Sequence, residues 1–307
     1  MHFTLKQLRY FDAALRTGSI ANAASEMNIS QSSITAAINA VEDATKAELF
    51  RRMPAKGIKA TERGREVGKR IQQFLEQARI FESDVLSLAG QPSGTLRLGC
   101  YAPTAPHVLP PILKQLSKQY PDIRIDLREG DMMSIQDLLK AGTVDLALTY
   151  RRDEPEQLGF VPMFAAHPIA LVPDMSPLAQ QTKISLQELA DQPMILLDLP
   201  GARPYFFGLF EAEGLTPRVV HTTKSSSVLR GLVAANFGYG LVNICGPNER
   251  DGQNGFVARP VGGDQESPQY GVAFTEVSRR STIVQAALTT CADISAQGGF
   301  DHLIVNT

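Results

Sequence analysis

Only three cysteines occur in 307 residues, at positions 100, 245 and 291, and none belongs to a CxxC pair. That spacing excludes a disulfide framework and a zinc knuckle, and leaves buried reduced thiols as the simpler reading. The five histidines, His2, His107, His167, His221 and His302, show no HExxH or other metal spacing, and neither a GxSxG elbow nor a phosphate-binding P-loop is present. Gly238-Tyr239-Gly240 lacks a third glycine in register and reads as a turn leading into a strand. There is no internal repeat and no low-complexity tract. No stretch of about 18 uninterrupted apolar residues exists, and Met1 to Tyr10 has no apolar export core. The expectation is a cytoplasmic protein with no membrane partner, no metal and no cofactor.

What is present fits an ordinary globular chain, 43% hydrophobic and 20% charged. Domains usually hold ~100 to 200 residues, so more than one folding unit is expected. The net charge of −2 conceals an asymmetry: residues 1–89 carry 13 Lys/Arg against 10 Asp/Glu, and the remainder 17 against 22. The amino-terminal part is the candidate anion binder.

Leu5, Leu8, Phe11 and Leu15 are spaced by three and four, the period of one helical face. Gly18 ends that pattern. Ser19 then suits an N-cap before a short helix rich in alanine, and Ser30 suits another before Ile34, Ile38 and Val41. The opposite face of the last helix carries Gln31, Thr35 and Asn39. Two short helices joined by a tight turn, the second exposing polar side chains, make a helix-turn-helix pattern. Beyond Leu49 and Phe50, the run Arg51 to Lys59 places Pro54 and Gly57 where a hairpin turn falls. Its cations, Arg51, Arg52, Lys56 and Lys59, suit phosphates, although a solvated basic loop is the alternative for any such run.

A helix beginning after Thr61 runs without proline to about Ala89. Val67, Ile71, Phe74, Ala78, Phe81, Val85 and Leu88 repeat on a strict alternation of four and three, the narrow seam of a helix that pairs with another. Homodimerisation through residues 62–89 is expected. Gly90-Gln91-Pro92-Ser93-Gly94 then reads as a hinge over 90–94. From Thr95 onward strand-like and helical runs alternate, which predicts parallel α/β sheet.

Residues 4 to 62 resemble the DNA-binding domain of LysR-type transcriptional regulators nearly end to end. The landmarks are Leu8, Phe11, Gly18-Ser19, Ala23-Ala24, Ser30-Gln31-Ser32, Val41-Glu42, Leu49-Phe50-Arg51-Arg52 and Thr61-Glu62. GTLRLG at 94–99, VLPPILKQLSKQYPDIRIDL and LLKAGTVDLALT resemble the family's sensor. The resemblance implies an α/β architecture: an all-α winged helix-turn-helix over 1–61, the long linker helix, and a two-subdomain effector domain like type 2 periplasmic binding proteins. Subdomain I is expected at 95–164 and 268–307 and subdomain II at 165–267, with crossings near Phe164 and Pro268. The resemblance also implies a homotetramer that bends DNA. Two positions depart from the family's pattern: Ser32 stands where proline is frequent, and Ala36-Ala37 where longer polar side chains are common. A small-molecule-binding protein or enzyme without DNA function is the alternative.

On this reading the partners are double-stranded promoter DNA, a small effector and a second copy of the chain. Gln31 and Asn39 can each donate and accept, as adenine requires, and the Thr35 methyl can meet a thymine. Ser30, Ser32, Ser33 and Ala36 lie on the same segment, while Arg51, Arg52, Lys56 and Lys59 hold phosphates or the adjacent minor groove. Two such units related by a two-fold axis imply an interrupted inverted repeat. In two-lobed α/β sensors, ligands lie beyond the carboxyl ends of the strands. That rule selects Tyr101, Pro103, Thr104, Thr149 and Tyr150, with Ser225, Ser226 and Ser227 opening a helix. Hydroxyls beside helix starts, with Arg203, favour a small anion; Asp131 and Asp198 would favour an amine-bearing ligand. Helix caps and surface ion pairs explain each of these residues as well. A peroxide sensor of this family would need two cysteines able to meet, and Cys100 and Cys245 read better as small hydrophobes.

Overall fold

The computed structural model describes residues 3–53, 57–87, 90–151, 158–250, 252–263 and 267–305. The chain divides into two compact units, residues 1–85 and 86–307.

The first unit holds α1 (Leu5–Thr17), α2 (Ile20–Glu26), α3 (Gln31–Thr45), a hairpin of β1 (Phe50–Met53) and β2 (Gly57–Ala60), and all but the last two residues of α4 (Glu62–Ser87). Each short helix starts on the cap its sequence offers: Thr4 in a capping box with Gln7, Ser19 accepting from Asn22 N, and Ser30 accepting from Ser33 N. Gly18 ends α1 in the left-handed region at φ 63°, and its carbonyl accepts from Ile58 N at 2.9 Å. The wing is thereby pinned to the α1–α2 turn. A Cβ on Gly57 would approach Gly18 O to 2.5 Å, so only glycine allows this contact. Leu8, Phe11, Ile34, Val41 and Leu49 fill the core.

α4 departs from the heptad expectation. Val67 and Ile71, the first seam positions, pack into this unit's own core together with Leu75. A strict heptad also satisfies an intramolecular face over two turns, so the period alone does not separate the two uses. Phe74, Phe81 and Val85 are exposed; Leu88 and Ala89 lie outside the described residues.

The second unit contains two five-stranded sheets, each with its own core. Lobe I is built from β3 (Gly94–Tyr101), α5 (Ala105–Gln119), β4 (Ile123–Gly130), α6 (Met132–Lys140), β5 (Leu146–Tyr150) and β6 (Gly159–Ala165), and is completed by β12 (Gln269–Phe274) and α10 (Thr282–Ala296). Lobe II holds β7 (Ile169–Pro173), α7 (Leu186–Ala190), β8 (Pro193–Leu197), α8 (Ala202–Ala212), β9 (Arg218–Thr223), α9 (Ser226–Ala234), β10 (Tyr239–Val242) and β11 (Phe256–Pro260). The strand orders are β4-β3-β5-β12-β6 and β11-β7-β10-β8-β9. β3 begins at Gly94, the last residue assigned to the hinge.

Neither sheet is the parallel sheet expected. β12, arriving from lobe II, inserts antiparallel between β5 and β6, and β7 runs antiparallel to both β10 and β11. Only pairs closed by a helical crossover, such as β3 with β4 and β8 with β9, are parallel. β6, β11 and α7 escape the sequence reading; β6, seven residues long, carries Pro162 mid-run. The chain crosses between the lobes after β6 and again after β11, and described residues of the two crossings hold each other. Ala166 N donates to Pro268 O at 2.9 Å and Val261 N to Pro168 O at 3.0 Å. The His167 ring spans Ser267 Oγ at 3.0 Å and Val261 O at 2.9 Å.

Candidate DNA-reading surface and effector cavity

In the first unit, α3 buries Ile34, Ala37, Ile38 and Val41 and turns Gln31, Ser32, Ala36 and Asn39 to solvent. Two adjoining grooves run between this flank and the wing. Gln31, Ser32, Thr35 and Arg52 line one, and Thr35, Asn39, Arg51 and Arg52 the other. The helix and hairpin thus converge on one surface, fixed by the Gly18–Ile58 bond and by Glu42. The Glu42 carboxylate, not singled out from sequence as a positioning group, accepts from Leu49 N at 2.6 Å and Phe50 N at 3.0 Å and so holds the start of β1 against α3.

The hydroxyls are less free than their exposure suggests. Ser30 Oγ lies 2.8 Å from Ser32 Oγ and 2.9 Å from Ser33 Oγ, and Thr35 Oγ1 donates back to Gln31 O at 3.1 Å. The bond leaves the Thr35 methyl as its distinctive outward group. Arg51 stands 3.8 Å from Glu48, with both side chains exposed, and Lys59 is also exposed. Pro54 and Lys56 lie outside the described residues.

In the second unit a cavity of about 280 Å³ opens between the lobes. Lobe I contributes Tyr101, Pro103, Thr104, Met132, Tyr150 and Arg151; lobe II contributes Leu197, Gly201, Ala202, Tyr205, Phe206, Arg230 and Asn243. These residues cluster at the carboxyl ends of β3, β5, β8 and β10, where backbone groups have left their ladders and side chains turn inward. Tyr150 stands edge-on to both Tyr101, at 5.9 Å, and Tyr270, at 5.0 Å. Burial raises the phenol ionisation of all three, so they remain neutral hydrogen-bonding groups.

Of the residues selected from sequence, Tyr101, Pro103, Thr104 and Tyr150 line the cavity; the others do not. Asp131 caps α6, accepting from Met133 N at 2.9 Å and Ser134 N at 3.0 Å. Those bonds hold its carboxyl below the usual range, the Ser134 N–H contributing most. Thr149 faces away from Tyr150 because successive side chains on a strand alternate. Asp198 and Arg203 pair with each other at 2.9 Å on the exposed surface. Ser225 caps α9 by accepting from Val228 N, and with Ser226 and Ser227 it follows β9, an edge strand. Even Thr104 is not the free donor expected: its proton goes to Tyr101 O at 2.9 Å, and Tyr270 Oη lies 2.8 Å away.

Sequence reasoning does not find Arg151 or Arg230. Arg151 directly follows Tyr150, so the strand-end rule reaches it when extended by one residue; Arg230 is mid-helix and carries no such signal. Arg230 is clamped by Glu249, which also accepts from Gly246 N at 2.7 Å, and it approaches His107 Nε2 at 3.4 Å across the lobes. Burial pushes the Cys100 thiol up to about 12 and the Cys245 thiol to about 11. Each sits in the core of a different lobe, in keeping with small hydrophobes. Among the described residues no cluster of His, Cys, Asp or Glu is arranged to hold a metal, and no helix is long and apolar enough to cross a membrane.

A winged helix-turn-helix followed by a two-lobed α/β domain with a cavity between its sheets defines a ligand-responsive transcriptional regulator. The family models agree: the bacterial regulatory helix-turn-helix protein, lysR family, matches residues 5–65, and the LysR substrate binding domain matches residues 89–295. The chain belongs to the LysR family of transcriptional regulators and is not an enzyme. It is 28% identical over 251 residues to the HTH-type transcriptional regulator cbl of Escherichia coli, covering 79% of this chain and 78% of that protein. The crystal structure of HinK, a LysR family transcriptional regulator from Pseudomonas aeruginosa, is 28% identical with a TM-score of 0.60, covering 95% of this chain and 98% of HinK. A full-length OxyR variant from Pseudomonas aeruginosa shares the fold at a TM-score of 0.72 and 18% identity, covering 94% of this chain and 97% of that one.

Proposed function

We propose that this regulator reads promoter DNA with the exposed flank of α3, two copies being joined through α4, and that a small anionic effector in the inter-lobe cavity sets its activity. The observation that carries the DNA reading is the convergence of Gln31, Thr35 and Asn39 with Arg51 and Arg52 on continuous grooves of one rigid unit. Gln31 and Asn39 address base edges; Arg51, Arg52 and Lys59 address phosphates. Phe74, Phe81 and Val85, exposed on α4, supply an apolar stripe for a partner helix, and a two-fold pair sets the half-sites of an interrupted inverted repeat. Oligomers beyond the dimer belong to the same proposal.

An anion is favoured over an amine because no Asp or Glu lines the cavity among the described residues, whereas two arginines do. The test is binding of the full chain to its own upstream intergenic DNA over a salt series. Gln31→Ala is expected to cost about 1–3 kcal/mol and to relax base preference at one position. Arg52→Ala should weaken all sequences equally and lower the log–log salt slope by ~0.9 for each phosphate it no longer neutralises. Unchanged affinity and slope in both variants would overturn the assignment of this surface.

A further inference from the structure

We infer that the effector is a compact carboxylic acid with a flat, apolar or aromatic body, and that Arg151 takes its carboxylate. This rests on the reading that the inter-lobe cavity is the effector site, and on how the arginines near it are paired.

Arg230 is committed. Its guanidinium meets both Glu249 oxygens, with Nη2 to Oε2 at 3.3 Å, and also Ser226 O at 3.3 Å and Ile244 O at 3.4 Å. Glu249 is only 8% exposed, so drawing Arg230 towards a ligand would strand a buried carboxylate. Arg203 pairs with Asp198, lies over the Phe207 ring and does not line the cavity. Arg151 differs from both. Its backbone N–H is anchored on Gln269 O at 2.8 Å, while its side chain stands at the rim and meets no acid among the described residues. A guanidinium with open donors is matched to a carboxylate's two oxygens. The start of α8 at Gly201 and Ala202 adds the positive end of an eleven-residue helix to the same cavity.

The rest of the lining defines the body of the ligand. Tyr101 and Tyr150 from lobe I, and Tyr205 and Phe206 from lobe II, present rings, and Met132, Leu197, Val242 and Ile244 fill between them. Two of the neutral polar groups are largely spent internally: Thr104 on Tyr101 O and Tyr270, and the Asn243 Nδ2 on Ala166 O at 3.0 Å and Tyr205 Oη at 3.2 Å. A sugar or polyol would lay most of its polar surface against rings and aliphatic side chains, and an ammonium would find no carboxylate among the described residues of the lining. At about 280 Å³ the volume falls just below the ~300–1,000 Å³ of drug-sized ligand sites, which suits a single ring.

The experiment is calorimetric titration of the full chain with benzoate, benzamide, 3-phenylpropanoate and phenylalanine, with melting curves as a check on folding. Benzoate should bind at least ~10-fold more tightly than benzamide, and 3-phenylpropanoate more tightly than phenylalanine, since each disfavoured probe lacks the charge pairing or adds an unpaired ammonium. Arg151→Met should bring benzoate down to the level of benzamide, and Arg151→Lys should restore part of the difference. Equal binding of benzoate and benzamide, no binding of either, or a preference that survives Arg151→Met overturns the inference. Pro204→Trp, placed on the exposed side of the lining, should block both probes. Benzoate binding indifferent to Pro204→Trp would instead overturn the cavity reading itself.

Discussion

The two units of this regulator carry their chemistry in opposite ways. The DNA-facing unit displays it on the outer flank of one continuous helix, α3, whose inner flank is core. The sensor assembles its site from residues between 101 and 268, taken from strand ends in both lobes, and several of these side chains are themselves core. In the first unit contact and stability are separable residue by residue. In the sensor, Tyr101, Leu197 and Phe206 are both wall and core, so a substitution that alters ligand contact also alters packing.

The largest effect should come from making the separable unit inseparable. Phe11 is fully buried and packs against Phe50 with ring centroids 5.0 Å apart. Phe11→Ala is expected to cost about 3–5 kcal/mol and abolish DNA binding. Denaturant unfolding followed by DNA affinity and by effector-dependent melting should show the sensor's response preserved. Joint loss of both would mean that the units do not fold independently.

A smaller effect is expected where fold and function meet within the first unit. Glu42→Ala leaves the amides of Leu49 and Phe50 without their acceptor and should cost about 1–3 kcal/mol. Glu42→Gln keeps an acceptor oxygen and should recover most of the loss. Because these bonds set the wing against α3, DNA affinity should fall more steeply in Glu42→Ala than thermal stability does. Proportional losses would make Glu42 a purely structural residue.

The same contrast explains what is legible in the sequence. α1 to α3 are readable because local signals agree: caps at Ser19 and Ser30, apolar spacing of three and four, and glycine at the turn. The carboxyl ends of sensor strands are also readable, which reaches Tyr101, Thr104 and Tyr150. Strand order is not, because it is decided by long-range pairing. Ser225 to Ser227 and Asp131 qualify as strand-end residues, yet β9 and β4 are edge strands, whereas the cavity gathers mainly at β3, β5, β8 and β10. Arg230 and Asn243 carry no local signal: Arg230 is set by Glu249 and Asn243 by Ala166 and Tyr205, all distant in sequence, and Arg230 meets His107 across the lobes.

That lobe-to-lobe contact gives the sensor a pH dependence that the first unit should lack. His107 on α5 is held below the ordinary imidazole range by burial above all, with Arg230 and His302 acting in the same direction and Glu249 opposing. The unfolded chain therefore binds this proton more readily than the folded one. Stability is fully present above about 6.5, the unfolded value, and declines as pH falls through the lower folded value. The sensor's melting temperature should drop on acidification in that window, and His107→Gln should flatten the decline. A wild-type sensor that gains stability in mild acid would reverse the sign and overturn the assignment.

The smallest effect should come from the residues that sequence reasoning favours for an anion and the structure places elsewhere. Arg203 and Asp198 form an ion pair with side chains 53% and 37% exposed, where solvent screening leaves ~0–1 kcal/mol. Arg203→Ala should therefore shift the melting temperature hardly at all and leave benzoate affinity within about a factor of two, since the guanidinium stacks on Phe207 outside the cavity wall. Ser226→Ala should be equally mild, because the contact Arg230 uses there is the backbone carbonyl, which alanine keeps. Calorimetry on Arg203→Ala beside Arg151→Met sets the two arginines directly against each other. A larger loss in Arg203→Ala would move the anion contact from the end of β5 in lobe I to α8 in lobe II and overturn the assignment to Arg151.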